Sequence, residues 1–209
     1  MKNSVWIIVG IILIAIVTLF VIKANSKNKT TDTNASQAIE GTQASKINET
    51  TQSAMKKTYQ SAPSPLPVVQ IQGKKALIKT SKGDIVFEFY KDAPIAASNF
   101  IFLTNEGFYD GLIFHRREEN FVIQGGDPAG NGTGGPGYKF ADEKVTRDYT
   151  RGIVAMANSG LNTNGSQFFI MLADNPLPKN YTIFGNVVSG LDVVDKIQVG
   201  DVMEKVTIE

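Results

Sequence analysis

From residue 68 onward, apolar residues come in short clusters closed by Gly, Asn or Pro, and that pattern limits what the chain can fold into. Ile85, Phe87 and Phe89 alternate with Val86, Glu88 and Tyr90, the period of a half-buried strand. Further strands are expected at residues 112–115, 121–124, 153–157 and 167–171. Only two stretches carry helical spacing. One opens at Asp92-Ala93-Pro94, with Asp92 placed to cap it and Pro94 tolerated in the first turn. Ala96, Phe100 and Leu103 then recur at i, i+4 and i+7, and Gly107 closes the helix. The other occupies residues 191–197, starts near Ser189, and has Leu191, Val194 and Ile197 on one side. Many short strands with two helices predict a mainly β domain built on a closed or sandwiched antiparallel sheet.

The first 67 residues are of another kind. Residues 5–22 are an unbroken run without a charge, preceded by Lys2 and followed by Lys23, Lys27 and Lys29. At ~1.5 Å per residue this run spans ~27 Å, close to the ~30 Å hydrocarbon core of a bilayer. Cleavable signals have a shorter apolar stretch and a small-x-small end, whereas this one ends Val21-Ile22-Lys23-Ala24. Residues 1–23 are therefore expected to be an uncleaved, single-pass membrane anchor. The lysines beyond the span would by themselves keep the C-terminal side in the cytoplasm. A short tail, one apolar segment and a long soluble domain instead have the form of an export signal-anchor, which places the domain on the extracytoplasmic side of the cell membrane. Residues 24–67 are dominated by Ser, Thr, Asn, Gln, Lys and Ala, with Tyr59 the sole aromatic. Such a tract cannot bury enough surface to offset its ordering entropy. It is expected to be a tether of roughly 35–40 Å, stiffened by Pro63, Pro65 and Pro67, leaving residues 68–209 as the folded domain.

Composition removes several functions. A net charge of +1 and the lack of a basic stripe argue against nucleic acid as a partner. With no cysteine, disulfides, thiol catalysis and zinc thiolate sites are excluded. The run at residues 125–137 holds seven glycines but no Gly-Lys-Ser/Thr and introduces no helix, so it is expected to be a tight loop and not a phosphate cradle.

Residues 114–127, Phe-His-Arg-Arg-Glu-Glu-Asn-Phe-Val-Ile-Gln-Gly-Gly-Asp, carry the chemistry. With residues 112–115 and 121–124 as neighbouring strands, Arg116, Phe121 and Gln124 gather at one surface. That surface is a fixed cation at the rim of an apolar pocket, suited to a compact apolar ring and a neutral amide. On the residues alone, Arg116 reads more readily as the partner of Glu118 or Glu119 in a surface salt bridge, and the apolar neighbours can each be ordinary core.

Seven pieces in order resemble the cyclophilin family of peptidyl-prolyl cis-trans isomerases. They are Phe-His-Arg at 114, Phe-Val-Ile-Gln-Gly-Gly-Asp at 121, Asn-Gly-Thr-Gly-Gly at 131, Lys-Phe-Ala-Asp-Glu at 139, Met-Ala-Asn at 156, Asn-Thr-Asn-Gly-Ser-Gln-Phe-Phe-Ile at 162 and Ile-Phe-Gly-Asn-Val at 183. The resemblance covers roughly residues 74–208. The resemblance implies a closed eight-stranded antiparallel β-barrel with a helix over each end, acting on X-Pro bonds of peptides and folding proteins without a cofactor or metal. It implies that Arg116 is catalytic and that Gln124 steadies it and hydrogen-bonds the substrate backbone. Phe121, Val122, Phe169 and Leu177 match the pocket for the proline ring. Asn158, after Met156 and Ala157, matches a position whose main chain pairs with the residue before proline, as an added strand would. Gln167 and Tyr181 match further site positions. His115, the only histidine, is expected to support the site and not to carry protons.

That chemistry suits these residues. Rotation about X-Pro passes a twisted amide with a barrier of ~18–20 kcal/mol and takes tens to hundreds of seconds unaided. No bond breaks, so a donor aimed at the nitrogen or the rotating carbonyl is enough to stabilise the transition state selectively. A guanidinium is always charged and holds its donors in a rigid plane. Four positions depart from the family pattern: Pro176 for a large aromatic, Tyr181 for His, Val122 for Met, and Arg117-Glu118-Glu119 for an apolar turn. These departures bear on cyclosporin binding and peptide preference. They also keep open a non-catalytic peptide-binding or scaffolding module on the same barrel.

Overall fold

The computed structural model describes residues 57–209. The apolar run at residues 5–22 and most of the expected tether lie outside the described residues, and among the described residues no helix is long and apolar enough to cross a membrane. In chain order the elements are α1 (Val68–Ile71), β1 (Lys75–Thr80), β2 (Gly83–Phe89), α2 (Pro94–Asn105), β3 (Arg116–Glu118), β4 (Val122–Gly125), β5 (Ile153–Met156), β6 (Phe168–Met171), β7 (Ile183–Ser189), α3 (Leu191–Lys196) and β8 (Lys205–Ile208). The eight strands form one sheet in the order β3-β4-β6-β5-β7-β2-β1-β8, with every neighbouring pair antiparallel. The expected closed barrel is a curled sheet whose edge strands, β3 and β8, do not pair with each other. The segments leading into them meet instead in a short seam at Ile113 and Val202, where Met203 N donates to Leu112 O at 2.8 Å and Phe114 N to Asp201 O at 2.9 Å. The strand expected at residues 112–115 is this seam, and the regular ladder with β4 starts one residue later, at Arg116.

Strands β5 and β6 are buried on both faces, which is why no two-residue alternation marks them in the sequence. Alternation is nevertheless what sorts their side chains. Ile123, Val154, Met156, Phe168 and Ile170 join the main core, whereas Val122, Ile153, Ala155, Phe169 and Met171 join a second, separate cluster. The main core is rich in aromatics: Phe100 stacks on Tyr109 at 4.6 Å between ring centroids and meets Phe87 edge-on at 5.1 Å. Each fully buried ring of this kind contributes roughly 1.5–3 kcal/mol by leaving water.

Helix α2 begins where Pro94 predicts, but its cap is not Asp92. Ile95 N and Ala96 N donate to Glu143 Oε1 and Oε2, both at 2.8 Å, while Asp92 pairs with Arg147 at the surface. A carboxylate from 48 residues away satisfies the helix start, so local spacing could not reveal it. At the other end Gly107 takes φ +66°, with Gly107 N on Thr104 O at 2.8 Å and Phe108 N on Leu103 O at 2.9 Å. That is the double bond of a left-handed helix stop.

The fold departs from the sequence expectation in two further places. A third helix, the single turn α1, precedes the sheet. Residues 57–67, assigned to the tether, lie against the domain: Tyr59, Ala62 and Leu66 pack on the main core, and Leu66 N donates to Ser98 Oγ at 2.7 Å. The polar composition of the tract as a whole concealed these few apolar anchors.

Candidate active site

One line of residues runs across the outer face of the sheet. Arg116 on β3 lies opposite Gln124 on β4, Gln124 opposite Phe169 on β6, Phe169 opposite Ala155 on β5, and Ala155 opposite Ile183 on β7. Directly opposed residues share a face and strands lie ~4.8 Å apart, so this register fixes the spacing of the row. Arg116 and Gln124 occupy its polar end; Phe169, Ala155 and Ile183 belong to the second apolar cluster.

The polar end is a relay of side chains. Arg116 Nη1 donates to Gln124 Oε1 at 3.2 Å, and Gln124 Nε2 donates to Gln167 Oε1 at 3.0 Å. Gln167 Nε2 donates in turn to Gly132 O at 3.0 Å and Gly134 O at 2.8 Å. Each amide is thereby oriented by the next, back to the glycine-rich loop. The Arg116 guanidinium carbon lies 5.8 Å from the centroid of the Phe121 ring, so the cation stands at the rim of the apolar cluster. Its ion pair with Glu118 is long, 3.5 Å, between side chains 43% and 55% exposed. Such a pair is worth little and leaves the guanidinium accessible. Glu119 is engaged by Arg117, not by Arg116.

The expected proline pocket is one group. Val122 and Phe169 are buried, and Phe121, Ala157, Leu177 and Tyr181 are half-buried against the same cluster. Tyr181 meets Phe169 edge-on at 5.7 Å. Leu177 also lines a neighbouring cleft of ≈440 Å³ with Tyr149, Asp174, Pro176 and Lys179. Ala157 N donates to Gln167 O at 3.0 Å, extending β5 by one residue. The side chain of Asn158 is fixed at both ends, with Nδ2 donating to Asn180 O at 2.8 Å and Oδ1 accepting from Gly160 N at 3.2 Å. Among the described residues its main-chain groups make no hydrogen bond, so they remain free for an extended peptide.

His115 lies outside the row, one residue before Arg116, with its N donating to Gln124 O at 3.0 Å. Both ring nitrogens are buried without a partner among the described residues. Burial lowers its pKa, Asp127 opposes that change and Arg116 adds to the lowering. Asp127 holds the loop beside it, accepting from Ala129 N at 2.7 Å, Asn131 N at 2.9 Å and Gly132 N at 2.5 Å.

Sequence reasoning missed Tyr149. Its hydroxyl donates to Tyr181 O at 2.9 Å and accepts from Tyr181 N at 3.1 Å, pinning Tyr181 over the pocket. Nothing local to Tyr149 signals a partner 32 residues away. Among the described residues no group of His, Asp and Glu forms a metal site.

The result is a curled antiparallel sheet that carries an apolar socket and a steadied cation on its outside, an arrangement suited to holding an extended peptide. Comparison with known proteins identifies the family. Residues 75–209 match the family described as cyclophilin type peptidyl-prolyl cis-trans isomerase/CLD. A peptidyl-prolyl cis-trans isomerase of Helicobacter pylori is 51% identical over 137 residues, covering 63% of this chain and 84% of that protein. A crystal structure of a cyclophilin type peptidyl-prolyl cis-trans isomerase of Cryptosporidium parvum superposes with a TM-score of 0.62 at 35% identity, covering 65% of this chain and 97% of that one. A second structure of the Cryptosporidium protein, in the presence of the dipeptide Ala-Pro, gives a TM-score of 0.61 at 35% identity and covers 65% and 98%. The chain belongs to the cyclophilin-type peptidyl-prolyl cis-trans isomerase family and is an enzyme of that class.

Proposed function

We propose that the chain accelerates X-Pro rotation in peptides and folding proteins with Arg116 as the catalytic group, and does so at a membrane to which residues 5–22 anchor it, with the domain on the extracytoplasmic side. The carrying observation is the transverse row that sets Arg116 and Gln124 beside Phe169. A proline ring among Phe121, Val122, Phe169 and Leu177 leaves water, for roughly 2 kcal/mol at ~25 cal/mol per Å². The free main chain of Asn158 holds the residue before proline as an added strand. The guanidinium then addresses the amide between these two fixed points, and Gln124 keeps it there. As the amide loses resonance its nitrogen becomes a better acceptor, so the interaction grows toward the transition state. Lowering the barrier by ~7 kcal/mol in this way gives about a thousand turnovers per second. The Ala-Pro dipeptide used with the Cryptosporidium relative supports the same class of substrate. His115 supports the site without transferring protons.

The test compares the purified chain and its Arg116→Ala variant on an Ala-Pro peptide by exchange spectroscopy. Wild type should accelerate exchange, and the variant should lose most of the acceleration while keeping its circular dichroism. Equal rates refute the arginine assignment. Binding at Phe121 and Asn158 with no acceleration by wild type would instead leave a peptide-holding module. Protease treatment of intact cells tests the topology: digestion of the domain supports the extracytoplasmic side, and protection overturns it.

A further inference from the structure

We infer that the segment just before the sheet, residues 57–66, is a strap that positions the catalytic relay, with Tyr59 as its main positioning residue. The inference rests on the assignment of Arg116 and Gln124 proposed above. The relay ends on the carbonyls of Gly132 and Gly134, so its geometry is no better fixed than the loop that carries them. Asp127 ties down the first limb of that loop through Ala129, Asn131 and Gly132. The strap ties down the second: Tyr59 N donates to Pro136 O at 2.8 Å. The contact is close enough that a Cβ on Gly137 would come within 2.7 Å of Tyr59 O, and Gly137 takes φ +98°. Pro136 is buried between the strap and Gly165, two residues before Gln167.

Three contacts hold the strap to the domain. The Tyr59 ring meets Phe102 of α2 edge-on at 5.1 Å and Phe108 at 6.2 Å. Leu66 N donates to Ser98 Oγ, which itself donates to Pro94 O at 2.5 Å. Lys57 Nζ donates to the exposed carbonyl of Glu106. The same helix also steadies the other side of the relay, because Asn99 Nδ2 donates to Gly165 O at 2.9 Å. Strap and helix thus close around the loop and the start of β6, and fix both the side-chain and main-chain ends of Gln167. The Tyr59 hydroxyl is buried without a partner among the described residues, so its ring and main chain do the holding.

The experiment uses the full chain with Tyr59→Ala, Tyr59→Phe, Gln167→Ala and the Tyr59→Ala/Gln167→Ala double variant. Turnover and KM are measured on an Ala-Pro peptide, together with NMR signals of the Gln167 side-chain amide and amide exchange at Gly132 to Gly137. Tyr59→Ala should lower kcat roughly fivefold with little change in KM, shift the Gln167 amide and speed exchange in the loop. Tyr59→Phe should restore wild-type kcat. In the double variant Tyr59→Ala should add nothing to Gln167→Ala, because both act through one contact. Unchanged turnover in Tyr59→Ala, or full additivity, overturns the inference while leaving the arginine assignment standing. If wild type itself shows no catalysis, the functional reading fails instead. The strap is then judged by the Gln167 amide, and an unmoved signal in Tyr59→Ala overturns it.

Discussion

Glu143→Ala probes how this fold starts a helix with a residue from a distant loop. In wild type the two carboxylate oxygens each accept one amide at the start of α2, both at 2.8 Å. Removing an N-terminal cap costs ~0.5–2 kcal/mol, and a hydrogen bond to a charged group ~1.5–3 kcal/mol. Burial opposes this, because it outweighs the two amides and holds the Glu143 carboxyl above its usual range, with Asp92 adding to the rise. The ionised form therefore gains less than two full charged bonds, and the expected loss is about 2 kcal/mol near pH 7. For a domain of this size that lowers Tm by about 4–8 °C. A folded-state pKa above the unfolded one means that the carboxyl's contribution is fully present below ~4.5 and declines as pH rises through the folded value. The gap between wild type and Glu143→Ala should narrow over that rise. Asp92→Ala should cost under ~0.5 kcal/mol, since Asp92 makes only an exposed ion pair with Arg147. Urea unfolding followed by the near-ultraviolet dichroism of the tyrosines measures both; the only tryptophan, Trp6, lies outside residues 57–209. A loss for Asp92→Ala equal to or greater than that for Glu143→Ala refutes the capping argument.

Two other outcomes are expected at the site. Burial, the largest influence on Asp127, acts to raise its pKa, but the amides of Ala129, Asn131 and Gly132 with His115 outweigh it and leave the carboxyl below its usual range. Its stabilisation is thus present above ~3.9 and lost as pH falls through the lower folded value, and Asp127→Asn should remove that part of the acid slope of the urea midpoint. Phe169→Leu, which shrinks the pocket floor but keeps it apolar, should raise KM roughly fivefold to tenfold with a smaller change in kcat; a reversed split would show that the ring acts on the transition state alone.

The mainly β pattern and the helix at Pro94 are legible in the amino-acid sequence from local spacing, whereas the roles of the site residues come from the resemblance of contiguous runs and stand as the proposal above. Arg116 and Gln124 are eight residues apart, and a hairpin brings them opposite each other. The features that escaped are those settled by partners far along the chain. Glu143 displaced Asp92 as the cap, Tyr149 pins Tyr181 from 32 residues away, and Tyr59 docks beneath Pro136 despite its polar surroundings. Burial on both faces hid the alternation in β5 and β6, although that alternation divides core from pocket.

This division bears on the chemistry. Phe168 and Phe169 are adjacent in sequence yet belong to different clusters, the first locked among Phe100, Tyr109 and Phe114 and the second facing the pocket. A site lined by outward residues of strands whose inward residues form the core inherits the rigidity of the core, since moving one face of a strand moves the other. Isomerisation needs such rigidity because the substrate must turn while its two ends stay fixed. On the proposed reading, the proline ring is held by Phe169 on β6 and the preceding residue by Asn158 just beyond β5, two strands joined by their ladder. Arg116 is the exception, standing on the three-residue edge strand β3 with solvent beside it. On the same proposed reading, an edge position lets the guanidinium follow the amide as it twists, and the Gln124–Gln167 relay keeps that excursion short.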